Sequence, residues 1–309
     1  MSEAAWQRGP RPDVDAVKRY RTIEELIPPQ WSEGRVLTNG IHQHYYRTGG
    51  DKPPLVLLHG IMVSGACWLR VAKALEQDYD LILLDARGHG RSDGVESGFT
   101  PQLRAEDVAG VLRALKLERP ALLGHSMGAE TAALVAAGHP ELVHAVVLED
   151  PAWHDSPMRG QMAQSEGYQA WFNSWLAWLE QLRTLPHAEQ MAAALRQMPP
   201  GSPMPEEEYV PWVDASTHLS LDLARSSMAL WNQEVTPWRE VVPRIACPIL
   251  LMIGNKARSA VMTQQDAEEV AALWQRGRLA SFERAGHQIH VDAFEPFIAA
   301  VKGFLSEQY

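Results

Sequence analysis

The chain has 309 residues, of which 46% are hydrophobic and 21% charged, the proportions of a globular protein with a buried core. A formal net charge of −10 and a pI near 5.6 argue against nucleic acid or an anionic membrane as the main partner and favour a small neutral or apolar ligand. The two cysteines, Cys67 and Cys247, lie far apart without metal-like spacing, so neither a disulfide framework nor a metal site is predicted.

The first 34 residues are predicted to form a polar N-terminal arm. Within it, residues 14–26 have the pattern of one amphipathic helix, which Pro28 and Pro29 would end. Acids and prolines occupy the N-terminus where a signal peptide would need an apolar run, and no segment has the roughly 18 apolar residues that span a bilayer. We therefore expect a cytoplasmic protein without a membrane segment.

The core is predicted to be an α/β sheet. Residues 35–48, with an Asn39–Gly40 turn, read as a hairpin at a sheet edge. Short, continuously apolar runs separated by helical patterns are typical of a parallel sheet covered on both faces. Such strands are predicted at 55–58, 81–84, 121–123, 143–148, 248–254 and 279–282, and helices at 66–76, 103–117, 129–137, 263–275 and 294–305.

A helical cap, or lid, is predicted at residues 151–240, between core segments 35–150 and 241–309. This insertion is too long for one crossover and contains seven of the eleven tryptophans. Trp171, Trp175 and Trp178 follow an i, i+4, i+7 pattern and so share one helix face. They form either the internal core of the cap or an apolar pocket wall, and the sequence leaves both open. The proline-rich residues 199–211 are predicted to be a loop inside the cap.

The most informative stretch is ALLGHSMGA at residues 121–129, because it contains the G-x-S-x-G pattern centred on Ser126. A serine on a sharp strand-to-helix turn needs glycine two positions before and two after it, so that strand and helix can approach. Both Gly124 and Gly128 are present, an apolar run precedes them and an alanine-rich helical segment follows. The stretch therefore predicts a nucleophile elbow.

From His59–Gly60 to the terminal helix, the chain resembles a cap-bearing α/β-hydrolase. Four motifs in the family's order carry the resemblance: His59–Gly60, the loop 85–92, the elbow, and the Ala-Gly-His-Gln segment at 285–288. It implies a mostly parallel eight-stranded sheet flanked by helices, an inserted helical cap and no cofactor. It also implies that Ser126 is the nucleophile and His287 the general base. His290 is the local competitor of His287, and we expect it to pack near the cap.

The resemblance further implies an oxyanion hole made by the backbone amides of Ile61 and Met127. The acid of the triad departs from the common pattern, since residues 255–260, after the strand 248–254, contain no carboxylate before Asp266. The family's other acid position, at the end of the preceding strand, contains Glu149 and Asp150. We expect Asp150 to be the acid, with Glu149 as second choice.

These features predict a serine hydrolase that cleaves carboxylic esters or lactones of an apolar small molecule through an acyl-enzyme. Carbon-carbon bond hydrolases, thioesterases and cofactor-free perhydrolases share this triad, and a non-catalytic ligand-binding module on the same fold is a further alternative. The sequence predicts no nucleic-acid or membrane partner and leaves a homodimer open. The predicted substrate pocket is lined by His59, Met62, Trp153, Trp171, Trp175 and Trp178.

Overall fold

The centre of the molecule is an eight-stranded sheet. We describe it from a computed structural model of the chain, over residues 21–94, 99–153, 165–197, 205–230 and 237–309. The strands have the spatial order β1-β2-β4-β3-β5-β6-β7-β8. They are β1 Ser32–Thr38, β2 Ile41–Arg47, β3 Pro54–Leu58, β4 Asp80–Leu84, β5 Ala121–His125, β6 Ala145–Glu149, β7 Ile249–Gly254 and β8 Gly277–Phe282.

The sheet is mostly parallel, as predicted. Only β2 pairs antiparallel, with β1 on one side and β4 on the other, and the strands from β4 to β8 are parallel. The hairpin turns at Asn39–Gly40, where Thr38 pairs with Ile41. Strands β4, β5 and β6 are buried along their whole length, because helices cover both faces of the sheet.

Twelve α-helices lie within the described ranges, with short 3₁₀ turns between some of them. They are α1 Ile23–Leu26, α2 Leu69–Leu75, α3 Pro101–Ala114, α4 Met127–Gly138, α5 Glu166–Arg183, α6 His187–Gln197, α7 Glu206–His218, α8 Leu221–Leu230, α9 Trp238–Val241, α10 Gln264–Leu273, α11 Ile289–Asp292 and α12 Phe294–Leu305. In this part of the chain, no helix combines the length and the apolar character that crossing a membrane requires.

The described residues between β6 and α9 are mostly helical and form α5 to α8. One prediction for this segment is wrong. Pro211 lies inside α7 and not in a loop, although residues 199–204 of the predicted loop 199–211 are outside the described ranges. A proline within a helix removes one hydrogen bond, but Tyr209, Val210 and Val213 of the same helix are at most 3% exposed. Their burial offsets the lost bond.

The described end of the arm packs onto α7. Residues 1–20 lie outside the described ranges, so most of the predicted helix 14–26 does too, and its described end is the single turn α1, which Thr22 and Glu25 close with a capping box. The turn is not wholly polar, because Ile23 and Leu26 are 2% and 3% exposed and share a hydrophobic cluster with α7. Arg21 forms an ion pair with Glu206 of α7, with 2.6 Å between Nη2 and Oε2.

Candidate active site

The site is built around the turn between β5 and α4, where Ser126 is the single connecting residue. Its φ of 53° and ψ of −114° are unfavourable for a residue with a side chain, at a cost of about 1–3 kcal/mol. Surrounding bonds maintain this conformation. The Ser126 amide donates to Glu149 O at 2.9 Å, and Ser126 O accepts from the amides of Ala129 and Glu130 at 3.1 Å.

The two elbow glycines are required by contact as well as by pattern. A Cβ on Gly124 would lie 2.2 Å from Gly128 O, and one on Gly128 would lie 2.0 Å from Leu58 O. Both obstacles are backbone atoms, which cannot move aside without displacing the strand or the helix. A side chain at either position would therefore disturb the placement of Ser126.

Asp150 lies directly after β6, fully buried, and is bonded to His287. Its Oδ2 is 2.6 Å from His287 Nδ1. The carboxylate also accepts the Val261 amide at 2.7 Å and the Met262 amide at 3.0 Å, both from the segment after β7. With Nδ1 donating to the carboxylate, His287 has Nε2 left to accept a proton. Because the His287 side chain is 29% exposed, it can reach a substrate.

His125 connects this pair to the elbow. Its ring centre is 4.6 Å from that of His287, and its Nε2 is 3.0 Å from His287 O. Burial lowers the pKa of His125 to about 3, so this ring is neutral and places no positive charge beside His287. Ser126 Oγ and His287 are not hydrogen-bonded to each other, and such bonds often tighten only when substrate binds.

The other carboxylates considered for the triad are engaged elsewhere. Glu149 is bonded to His290, with Nδ1 at 2.8 Å from Oε1, so the second-choice acid pairs with the second-choice base. Asp266 accepts from the amide and hydroxyl of Thr263 in the capping box of α10. Asn255, at the family's usual acid position, binds Glu283 and caps a 3₁₀ turn. None of these three groups bonds to His287.

The loop with the predicted oxyanion donor passes over the nucleophile. A Cβ built on Gly60 would lie 3.6 Å from Ser126 Cβ. Gly60 thus lies beside Ser126, Ile61 is the next residue of that loop, and Met127 follows Ser126 as the first residue of α4. The oxyanion hole made by the amides of Ile61 and Met127 stays a prediction.

Two neutral histidines support that loop from below. His59 Nε2 accepts the Ala86 amide at 3.0 Å, and His59 Nδ1 donates to Gly60 O at 2.6 Å. Met62, with a φ of 68°, donates its amide to His89 Nε2 at 3.3 Å. Burial lowers the pKa of His59 and lowers that of His89 to about 3. His59, predicted to line the pocket, uses both ring nitrogens within the scaffold.

An apolar cluster, here called the pocket wall for its predicted role, contains Met127 of α4 together with residues of α5 and α8. Its fully buried members are Phe99, Met127, Leu179, Leu219, Leu223 and Ala224, and Ile61, Met62, Ala86, Trp175, Leu176, Trp178 and Leu221 pack against them. The sequence analysis missed Phe99 and the leucines, because no motif marks them and only the fold brings them together. The predicted residues Met62, Trp175 and Trp178 belong to this wall.

Two of the predicted tryptophans do not belong to it. Trp171 is 51% exposed and stacks on Trp175 with 6.2 Å between ring centres. Trp153 is buried, but its ring stacks on Trp238 in the core cluster that also contains Met262. Trp231 lies outside the described residues. The shared helix face of Trp171, Trp175 and Trp178 thus runs from solvent into the pocket wall.

Comparison with known proteins places the chain among hydrolases. A family model described as alpha/beta hydrolase fold matches residues 53–294. The chain is 29% identical over 298 residues to N-formylmaleamate deformylase of Pseudomonas putida, covering 88% of this chain and 96% of the relative. The crystal structure of N-formylmaleamic acid deformylase of Pseudomonas putida S16 is similar, with a TM-score of 0.70 and 22% identity over 87% of this chain and 100% of that chain. The crystal structure of an esterase of Rhodococcus sp. ECU1013 has a TM-score of 0.66 and 26% identity over 91% of this chain and 100% of that chain.

Proposed function

The chain belongs to the α/β-hydrolase fold family, and on this premise we propose that it is a serine hydrolase of carboxylic esters or lactones of small apolar molecules. The relatives that it matches are hydrolases, which supports the reaction class. The observation that carries the proposal is the 2.6 Å contact between His287 Nδ1 and the buried Asp150, beside Ser126 on its strained turn.

The proposed reaction has two halves. Ser126 Oγ attacks the substrate carbonyl while His287 Nε2 takes its proton, and Asp150 stabilises the resulting imidazolium. The amides of Ile61 and Met127 bind the oxyanion, and each such donor lowers the barrier by about 3–4 kcal/mol. His287 then protonates the leaving alcohol. A water molecule, deprotonated by the same imidazole, hydrolyses the acyl-enzyme and frees Ser126.

The pocket wall supports an apolar substrate, because Met127, which directly follows Ser126, packs in one apolar cluster with Phe99, Trp175 and Trp178. A substrate carboxylate packed against these side chains would lose hydration there. Small-molecule pockets commonly combine apolar walls of this kind with a few polar groups at the reacting centre. We therefore propose that the acyl or alcohol part packs on Phe99, Trp175 and Trp178.

A formamide is the second candidate substrate, because N-formylmaleamate deformylase is the relative matched over 88% of this chain. The same Ser126 and His287 could open esters, thioesters, activated carbon-carbon bonds or amides, since one fold hosts all of these reactions. A panel of chromogenic ester, lactone, thioester and formanilide substrates ranks them. A preference for the formanilide would overturn the ester proposal and retain the triad.

A fluorophosphonate probe tests the mechanism, because only an activated serine reacts with it. We expect one adduct, mapped to Ser126 by peptide mass spectrometry, with no labelling of Ser126→Ala. The active-site titre should equal the burst of p-nitrophenol released from p-nitrophenyl acetate. An unlabelled wild-type protein that still binds apolar esters would identify a non-catalytic ligand-binding module.

A further inference from the structure

A second carboxylate-imidazole pair lies next to the proposed triad, formed by Glu149 and His290. The Glu149 side chain is fully buried and His290 is 8% exposed. His290 Nδ1 is 2.8 Å from Oε1 and 2.9 Å from Oε2, and the His290 amide donates to Oε1 at 2.9 Å. Three contacts to one buried carboxylate leave His290 a single orientation.

The charges of the pair follow from its surroundings. Burial alone would raise the pKa of Glu149 and lower that of His290. The charges and hydrogen bonds of their neighbours, chiefly of each other, shift both pKa values the opposite way and outweigh the effect of burial. The net pKa of Glu149 is lowered and that of His290 is raised, so both directions agree on an ion pair. His290 also meets the neutral ring of His125 edge-on, with 5.2 Å between ring centres. The acids Glu208 of α7 and Asp292 of α11 raise the pKa of His290 further.

The pair is connected to all three proposed triad residues. Glu149 O accepts the Ser126 amide at 2.9 Å, and Glu149 directly precedes Asp150. His290 follows His287 by three residues in the same loop. The His125 ring bridges them, with centres 4.6 Å from His287 and 5.2 Å from His290. On its far side, His290 packs against Trp68 of the core, at 4.7 Å between ring centres.

We propose that Glu149 and His290 are a positioning pair, whose buried ion pair fixes the loop with His287 against the end of β6. The inference rests on the proposed triad and adds residues that do not touch the substrate. Near His287 the same loop is also held by its bonds to Asp150 and His125, so the pair adds a further attachment three residues on. A displacement of about 1 Å at a reacting group costs roughly 100-fold in rate.

Glu149→Gln and His290→Gln test the pair, since each keeps a polar side chain and removes the charge attraction. We expect kcat on p-nitrophenyl acetate to fall roughly 10- to 100-fold in each, while KM changes less than about threefold. The double variant should be no slower than the slower single variant, because both changes remove one interaction. Additive losses in the double variant would overturn the pairing.

Asp80→Asn is the matched control. Asp80 is also a buried carboxylate, with bonds to Arg47 at 2.6 Å and 2.9 Å, but it lies at the amino end of β4, away from the carboxyl ends where Ser126 lies. This variant should lower the melting temperature and keep kcat within about twofold. If Asp80→Asn and Glu149→Gln lower kcat equally per folded molecule, the pair is only structural and the inference is wrong.

A spectroscopic measurement covers the case in which Glu149→Gln folds poorly. The proton between His287 Nδ1 and Asp150 should give a far-downfield NMR resonance, absent in His287→Gln. We expect His290→Gln to broaden or shift it, and an unchanged resonance would overturn the inference. Fluorophosphonate labelling separates the two proposals: an unlabelled wild type refutes the triad, whereas equal labelling rates in wild type and both single variants refute only the positioning pair.

Discussion

The floor of the candidate active site and the predicted cap, helices α5 to α8, are held by different kinds of interaction. In the floor, here the carboxyl ends of β5 and β6 with the loop 285–290, Ser126 and Asp150 are fixed by backbone hydrogen bonds and near-complete burial. Both have a positive φ, at 53° and 37°. In the predicted cap, Trp175 and Trp178 are only partly buried, and side-chain packing holds them against the pocket wall.

The difference separates chemistry from selectivity. Charged hydrogen bonds in a buried site depend on geometry to a fraction of an ångström, so the floor should respond to single-atom changes. Apolar packing depends on area and contributes only to substrates that are large enough to reach it. We therefore expect floor variants to lose rate on every substrate and cap variants to lose rate on large substrates alone.

Asp150→Asn should have the largest effect. The amide keeps the shape but reverses the hydrogen bond to His287 Nδ1, and in a comparable triad this change cost about 10⁴-fold in kcat. We expect a loss of that order on acetate and octanoate p-nitrophenyl esters alike. Steady-state kinetics on both esters, with circular dichroism to confirm folding, measure it.

Asp266→Asn is the control for that experiment. Asp266 belongs to the capping box of α10 and should change kcat less than about twofold, with at most about 1 kcal/mol lost from folding stability. A large rate loss in Asp266→Asn together with a small one in Asp150→Asn would move the acid to the segment after β7.

Trp178→Ala and Trp175→Ala should show the intermediate effect. Removing a large apolar contact worth about 1.5–3 kcal/mol lowers kcat/KM on the octanoate ester by about 10- to 100-fold. The acetate ester should change less than about threefold, because it does not reach the cap. Trp171→Ala, at 51% exposure, is the matched control and should leave both esters within about twofold. Equal losses on both esters would contradict the division between floor and cap.

The smallest expected effect is on the pH dependence of folding stability, which should differ in direction between the two regions. At the cap boundary, burial raises the pKa of Asp214, which lies 3.4 Å from Arg91. A folded pKa above the unfolded value means that this group's contribution to stability is present at low pH and is lost as pH rises through the folded value. The pKa of Glu149 in the floor is lowered by His290 against its burial. Its contribution is present at neutral pH and is lost as pH falls through the folded value.

Asp214→Asn should therefore keep or raise the melting temperature near pH 7, by at most about 2 °C, with the difference shrinking toward about pH 4. Glu149→Gln should lower it near pH 7, with that difference also shrinking on acidification. Differential scanning fluorimetry across this range gives both curves. A destabilised Asp214→Asn at neutral pH would show that the ion pair with Arg91 outweighs the burial of the carboxylate.

Sequence reasoning succeeds where one short segment contains the whole requirement. The elbow is such a case, because strand, two glycines and helix are adjacent, and the structure has β5 and α4 on either side of Ser126. The family resemblance supplied a second acid position at the end of β6, and the absence of an acid in residues 255–260 favoured it. The structure adds what two distant segments do to Asp150, namely the donation of the Val261 and Met262 amides.

Sequence reasoning fails where tertiary contacts decide. Pro211 predicted a loop, but buried neighbours stabilise a helix around it. Trp153 and Trp171 belong to the same tryptophan-rich insertion as the pocket-wall tryptophans. Only the fold shows that Trp153 lies in the core and that Trp171 is half exposed to solvent. The apolar residues of α1 looked like part of a polar arm because the α7 surface that buries them is almost 190 residues away, as the 185-residue separation of Arg21 and Glu206 illustrates.

The two backbone amides that bind Asp150 bear on where along the chain the acid of the proposed triad can lie. Strands β6 and β7 are parallel neighbours, with Glu149 opposite Met252, so an acid after either strand approaches the same imidazole. The segment after β7 now supplies two amides to a carboxylate that follows β6. Of the proposed triad, the acid is therefore the member whose place along the chain the sheet constrains least.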